Sequence, residues 1–501
     1  MSKQAIVVGA GIGGLTAGAL LARRGYDVSL YEQAYVPGGC ASTFKRRGFT
    51  FDVGATQVAG LEPGGIHHRI FEELEIDLPP VTPCDPACAV FLPGETQPIN
   101  VWRDPEKWQQ ERQQQFPGSE PFWQLLAKLF QASWQFQGRD PVLPPRNLWD
   151  LWQLTSALRL DTLITVPFTL MTVGDALRLY GIYNDRRLKT FLDLQLKLYS
   201  QVDTDETALL YAATALGVSQ EPQGLYHLQG SMQVLSDRLV EGLKKYGGKL
   251  FTGHSVEKIE TLKDKKTKVT IRVRKTGETI TKIADHVVTN VPVQNLVKMI
   301  DTPTKPGFNL YQQRVDKLPE ASGAFVIYLG VDEKAIPESC PPHLQFFYDY
   351  DGIIGENNSL FVSVSKPGDG RAKKGQRTII ASSFTDTQIW NNISEEKYQQ
   401  LKQQYSQEAI ARLSNYFHLN ADTIIHQEAA TPRTFAYYTA RDKGIVGGVG
   451  QRVSTFGPFG IATRTPMKNI WLVGDSTHPG EGTAGVSYSA LTAVRQIERM
   501  T

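Results

Sequence analysis

The 501-residue sequence predicts an α/β protein: a Rossmann-type dinucleotide-binding domain with an inserted domain of mixed sheet and helices. Three features lead there. A glycine-rich turn joins a short apolar run to a helical one near residue 9. A second strand-like run, ending in Gly-Asp, stands near residue 474. Between them lie long segments rich in tryptophan and apolar clusters, with no internal repeat and no low-complexity tract.

Composition sets the class. With 41% hydrophobic and 21% charged residues, the chain can build a globular core. A formal net charge of +2 without a long basic run excludes nucleic acid as an expected partner. Cys40, Cys84, Cys88 and Cys340 form no CxxC pair and no zinc-like spacing with histidine, so no metal site is expected and the thiols read as reduced. Met1–Gln4 lead directly into Ala5–Val8, a run too short for a secretory signal. The longest apolar stretch, Leu163–Val173, is about half a membrane span and contains Pro167. The expectation is a protein that is soluble or lies on a membrane without crossing it.

The turn carries the strongest local signal. Ala5–Val8 reads as a buried parallel strand. Gly9, Gly11 and Gly14 follow in G-x-G-x-x-G spacing with Gly13 between them, then a helical run Leu15–Arg24, then a strand Asp27–Tyr31 ending in Glu32 and Gln33. Gly9 permits the tight turn, Gly11 lets backbone approach a pyrophosphate, and Gly14 lets helix pack on strand. The helix N-terminus favours the phosphate charge. Glu32 stands where a carboxylate holds adenosine ribose hydroxyls, and it disfavours a 2′-phosphate.

FAD and NAD share this fingerprint, and the following segment separates them. Pro37-Gly38-Gly39-Cys40-Ala41-Ser42-Thr43 and Phe49-Thr50-Phe51-Asp52-Val53-Gly54 are turn-rich where a nicotinamide dehydrogenase would begin another βαβ unit. Adjacent glycines allow a loop to fold back over an extended cofactor. The reading is FAD.

G-x-G-x-x-G, an acid, P-G-G-x-x-x-T and G-F-x-F-D-x-G together resemble the bacterial-type phytoene desaturase and carotene isomerase family, within the FAD amine-oxidase superfamily. The similarity extends over most of the chain: Gly224–Met232, the helical run Val234–Tyr246, Val287–Pro292, Thr431–Phe435 and Gly447-Gly448. It implies a GR2-like FAD domain. It implies a backbone contact to adenine at Val256, and FAD contacts at Asn290, at Gly474-Asp475 after the strand Asn469–Val473, and at Gly485 and Val486 opening a C-terminal helix. Thr431–Phe435 is placed by the resemblance near a substrate cavity. Glu481 is a departure from the small residue or glutamine common at its position. With the run Gln33–Thr43 it makes the chain most similar to the cyanobacterial carotenoid 3′,4′-desaturase branch, of myxol-type carotenoid biosynthesis.

An apolar polyene needs an apolar tunnel with few polar anchors. Trp102, Trp108, Trp123, Trp134, Trp149 and Trp152 cluster in sequence, and the helices around them read as membrane-interface elements or as core. The Phe346-Phe347-Tyr348 cluster is a tunnel candidate. Membrane contact is the expected outcome, peripheral and on the cytoplasmic side of a thylakoid or plasma membrane. Desaturation passes a hydride to flavin and a proton to a base; Glu481 is the candidate for that base, with His478 a weaker one. The reoxidant expected is a quinone or dioxygen. Alternatives are a carotene cis–trans isomerase using reduced FAD, a non-catalytic prenyl-lipid carrier of the Rab-escort type, and a soluble amine oxidase. The expected FAD domain comprises residues 1–85, 225–300 and 455–501; 86–224 and 301–454 form the substrate and membrane-contact domain. Lys258–Lys275 reads as a solvated hairpin edge.

Overall fold

The computed structural model describes residues 2–262, 266–301 and 306–500. The apolar run near the start of the chain is the central strand Gln4–Val8 of a five-stranded parallel sheet. It pairs on one side with Asp27–Glu32, which carries Lys249–Thr252 at the edge, and on the other with His286–Thr289, which carries Ile470–Leu472. Parallel strands buried on both faces must read as continuous apolar runs, and Ala5, Ile6, Val7 and Val8 are all buried.

One face of the sheet holds the helix Ile12–Arg23, in which eleven of the twelve residues are buried. Helices Gln233–Lys245 and Thr483–Glu498 flank it and fill one core with Leu235, Leu239, Leu243, Ala490, Leu491 and Val494. The other face holds a three-stranded antiparallel sheet, His254–Thr261, Thr267–Val273 and Thr279–Ala284, whose Ile259, Val269 and Ile271 pack beneath Ile6 and Val287. The expectation for Lys258–Lys275 needs correcting: Thr267–Val273 is the middle strand of this sheet, paired on both sides. Its alternating pattern is apolar inward, so Lys268 and Arg272 occupy the outer face of a central strand. Residues 263–265 of that stretch lie outside the described residues.

A second, seven-stranded sheet is mostly antiparallel, in the order Ile424–Ala430, Gly323–Asp332, Gln376–Thr385, Ser359–Val364, His343–Phe347, Cys88–Phe91, Ile99–Val101. The long helix Glu395–Leu413 covers one face through Tyr398, Tyr405, Ala409 and Leu413. The other face meets the hairpin Thr43–Arg46 and Phe49–Asp52 through Phe49, Phe51, Tyr328 and Phe435. A helical layer between residues 105 and 217 has its own core.

The hairpin is tied to the second sheet by a buried charge cluster. Arg371 donates to Asp52 Oδ2 from Nη2 at 2.9 Å and from Nε at 3.2 Å. Its Nη1 reaches Asp369 Oδ2 at 3.0 Å and the Leu228 carbonyl at 2.9 Å. The remaining oxygen of Asp52 accepts from the Met232 amide at 2.8 Å. The arginine and Asp52 side chains are each only 2% exposed. Burial nonetheless pulls the Asp52 carboxyl above the usual carboxylate range, with Arg371 pulling the other way.

Candidate functional site

The glycines of the first turn converge on one side chain. Strand His286–Thr289 ends in Asn290, whose amide donates to the Val8 carbonyl at 2.8 Å. A Cβ on Gly11 would lie 2.6 Å from Asn290 Nδ2, on Gly13 2.7 Å from its Oδ1, and on Gly474 2.8 Å from the same oxygen. Gly9, at φ +91°, would meet the Asn290 carbonyl at 2.8 Å, and Gly14 would meet the Gly9 carbonyl at 2.0 Å. Gly9 and Gly14 face backbone that cannot give way and Gly474 sits at φ +105°, so these three require glycine, whereas Gly11 and Gly13 meet chiefly the movable end of the Asn290 side chain.

Glu32 closes the ribose side. Its Oε2 accepts from the Ala10 amide and its Oε1 from the Ala34 amide, each at 2.7 Å. Burial raises this carboxyl above its ordinary pKa, opposed by the amides of Ala34, Ala10 and Gln33. Each oxygen keeps a lone pair for a further donor. The loop at Gly38 lies against the turn: its amide donates to the Ala10 carbonyl at 2.7 Å, and a Cβ on Gly39 would sit 3.4 Å from Gly11 Cα. Ser42 Oγ donates to the Gly39 carbonyl at 2.7 Å, and Thr43 N donates to Gln233 Oε1 at 3.3 Å. The Cys40 thiol is raised by burial in the neighbourhood of Arg441 and Asp475. Val256 packs under the parallel sheet beside a bulge. Gln33 points elsewhere, donating to the carbonyls of Tyr437 and Tyr438 at 3.3 Å. A glycine-lined backbone turn with a carboxylate at its rim, and the Asn290 carboxamide lying among its glycines, fits the extended pyrophosphate and ribose of FAD.

The C-terminal loop assembles the second half. Asp475 pairs with Arg441 Nη2 at 2.7 Å, both largely buried. Glu481 is partly accessible and accepts from Gln201 Nε2 at 3.1 and 3.3 Å and from the Gly448 amide at 3.3 Å. Loss of solvent raises its pKa to about 8; Asp475 adds to the rise, while Gln201, Gly448 and Arg441 oppose it. Gly447-Gly448 makes this approach possible, because a Cβ on Gly447 would fall 2.2 Å from Glu481 Oε2 and one on Gly448 2.1 Å from the Asp475 carbonyl. Gly485 is equally constrained, 2.7 Å from the Gly480 carbonyl, and the Val486 carbonyl lies 3.2 Å from a Cβ at Gly13. The last helix therefore begins over the first turn.

His478 is buried with Nε2 2.8 Å from the Gln137 amide nitrogen and its ring between Phe456 and Tyr488. Burial lowers its pKa to about 3, so the ring is neutral. Arg441, Gln201 and Tyr211, whose phenol is raised by burial near Glu481, are the site residues that motif reading missed. Their one sequence signal is Gly447-Gly448, which marks a close approach without naming its partners.

Two expectations change. Trp108 and Trp123 are buried, edge to face with each other and packed on Phe191 in the helical core. Phe346 stacks on Phe91 and Tyr348 under the Glu395–Leu413 helix, so this cluster is packing. Arg433 of the Thr431–Phe435 stretch caps the Trp390 and Ile393 carbonyls. The large apolar side chains around and after Trp149 stay outside: Leu148 is 84% exposed, Trp152 66% and Leu160 88%, with Leu151, Leu163, Val166 and Leu170 also exposed. No helix among the described residues is long and apolar enough to cross a membrane.

Known proteins bear on this geometry. A prolycopene isomerase of an Oncidium hybrid cultivar is 26% identical over 99% of this chain and 83% of its own length. A zeta-carotene-forming phytoene desaturase of Myxococcus xanthus is 25% identical over 97% and 92%. An oxidoreductase structure from Methanosarcina mazei superimposes with a TM-score of 0.63 at 17% identity, covering 98% of this chain and all of that one. The profile of the flavin containing amine oxidoreductases matches residues 12–498. With its glycine cradle, rim carboxylate and Gly-Asp loop, the chain belongs to the flavin containing amine oxidoreductase family, as an FAD-dependent oxidoreductase.

Proposed function

We propose that this enzyme is a carotenoid desaturase, of the C-3′,4′ type, working peripherally on a membrane. The substrate class is supported by relatives that match nearly the whole chain and are named for carotenoid desaturation or isomerisation. The apolar segment from Leu148 to Leu170, exposed to a degree unusual for a soluble surface, supports extraction of the substrate from lipid.

The observation that carries the acid–base chemistry is Glu481, held by Gln201 and the Gly448 amide beside the Asp475 loop, with its carboxyl raised by burial. FAD, when bound, supplies the acceptor for the hydride removed from one carbon. The neighbouring carbon then loses a proton, and the two electrons of that C–H bond become the new C=C. Glu481 accepts the proton at Oε1 or Oε2. Gln201 and the Gly448 amide hold its carboxylate in place. Arg441 and Asp475 fix the adjoining loop, and His478, neutral and held by Gln137, orients it without acting as an acid or a base. A quinone or dioxygen takes the electrons onward.

The same carboxyl favours one second reading. Below pH about 8 it is protonated and could donate a proton to a polyene, as a cis–trans isomerase needs. The pH profile and the products separate the two. For a desaturase, turnover of carotenoid in liposomes rises with pH through about 8 and the chromophore lengthens. For an isomerase, turnover falls through the same range and the number of double bonds is unchanged. Glu481→Gln retaining full turnover with FAD bound would remove the acid–base role from both.

A further inference from the structure

Between residues 146 and 172 the exposed apolar segment carries only four charged side chains, Arg146, Asp150, Arg159 and Asp161. The two acids are neutralised from within the protein. Asp150 is fully buried and accepts from Arg464 Nε at 2.9 and 3.0 Å, and Asp161 is paired with Arg139. The two arginines are exposed, and no carboxylate among the described residues pairs with either. Arg159 stands between the exposed Leu158 and Leu160, and Arg146 lies two residues before Leu148.

A further cation stands beside Arg146. Arg314, on the helix Pro306–Asp316, lies close enough to Arg146 to feel its charge, and its Nη2 donates to the Phe459 and Gly460 carbonyls. The Tyr311 hydroxyl, beside both arginines, is buried without a partner. Next to Arg314 a surface cavity of about 360 Å³ opens between Leu310, Lys317, Ser454 and Thr455. Leu310 in its wall is 68% exposed, and Phe459, whose carbonyl accepts from Arg314, is 44% exposed.

The 146–172 segment neutralises both of its acids internally and leaves Arg146 and Arg159 unpaired, and beside Arg314 the exposed Asp316 is offset by Lys317, so the surface carries a net positive charge beside apolar side chains. Like charges held together favour the approach of an anion from outside. We infer that this face binds the phosphodiester headgroups of an anionic phospholipid, with Arg146, Arg159 and Arg314 as cationic contacts flanking the inserted leucines and Trp152. The inference rests on the membrane reading above and adds the lipid class to it. Basic side chains at the bilayer surface strengthen binding by about fivefold each at low salt, so about thirtyfold for two.

The test is sedimentation of the FAD-loaded protein with vesicles of phosphatidylcholine alone, or of phosphatidylcholine mixed with phosphatidylglycerol. The wild type is expected to bind the mixed vesicles more tightly, and the preference to fade as salt rises. Arg146→Gln/Arg159→Gln changes only exposed side chains. It is expected to lose about thirtyfold on mixed vesicles while keeping its thermal midpoint and its binding to phosphatidylcholine. Equal binding to both vesicles, or a variant that keeps the preference, overturns the inference and leaves the membrane reading intact. No binding to either vesicle overturns the membrane reading itself. Displacement from mixed vesicles by inorganic phosphate, at an ionic strength where chloride has no effect, would overturn the lipid assignment in favour of a soluble anion.

Discussion

Arg371→Met should cost about 3–5 kcal/mol of stability, the range for removing one partner of a buried ion pair. The structure puts it at the upper end. Arg371 serves two carboxylates, Asp52 and Asp369, and both arginine and Asp52 are 2% exposed. Methionine fills similar volume, so the loss is electrostatic rather than a cavity. Asp52 would retain only the Met232 amide, and His227, 3.0 Å from Asp369, cannot reach across to replace the guanidinium for both. Asp52→Asn in the same background removes the orphaned charge and should restore at least about 1.5 kcal/mol, a coupling expected of contacting residues. Urea unfolding of FAD-saturated protein, followed by far-ultraviolet circular dichroism and by flavin fluorescence, measures both. The flavin signal should change first, because the Val53 amide next to Asp52 donates to the Ser42 carbonyl at 2.9 Å and so holds the Gly38–Thr43 loop. A cost within about 1 kcal/mol of wild type, or a double variant equal to the sum of the singles, would refute the clamp.

Three further outcomes follow. The Glu481 carboxyl, about 8 when folded, lies above its ordinary value of 4.5, so the folded state holds a proton the unfolded chain has already lost. Its contribution is therefore complete below about pH 4.5 and is lost as pH rises through about 8. In flavin-stripped protein, the free energy of unfolding across that window should fall more steeply for wild type than for Glu481→Gln, by roughly 1.4 kcal/mol per pH unit; parallel curves would contradict the shift. Gly14→Ala places a Cβ 2.0 Å from the Gly9 carbonyl, backbone that cannot move aside, and should yield protein with little or no bound flavin by its visible absorbance. Leu148→Ser/Trp152→Ser alters exposed side chains, and should weaken vesicle binding several-fold with the thermal midpoint unchanged; equal binding would place the contact elsewhere.

Legibility in the sequence followed the range of the interactions. The turn Gly9–Gly14, Glu32 and the Gly38-Gly39 loop lie within about thirty residues, and their mechanics are local: φ angles, close approach, a helix end. All were readable, as was the Gly474-Asp475 loop, because a strand ending in Gly-Asp is itself a local pattern. Gln201 and Arg441 were not. Gln201 meets Glu481 from 280 positions away, and nothing around it marks it. The tryptophans show a different limit. Composition cannot distinguish Trp123, whose Nε1 is satisfied by Ser119 inside the core, from Trp152, 66% exposed on a helix surface. Asp52 was legible as part of a motif, but its partner Arg371, 319 positions on, is not.

The first helix, Ile12–Arg23, has consequences for how the polypeptide is made. Its buried sides are covered by Gln233–Lys245 and by Thr483–Glu498, the last helix described. A ribosome releases the first of these helices hundreds of codons before the last. For most of translation the nascent chain therefore carries an uncovered, alanine- and leucine-rich rod and a half-made nucleotide fold that cannot close. Chaperone engagement during synthesis, and aggregation of truncated translation products, are the costs of placing a cofactor site where two distant ends of a polypeptide must meet.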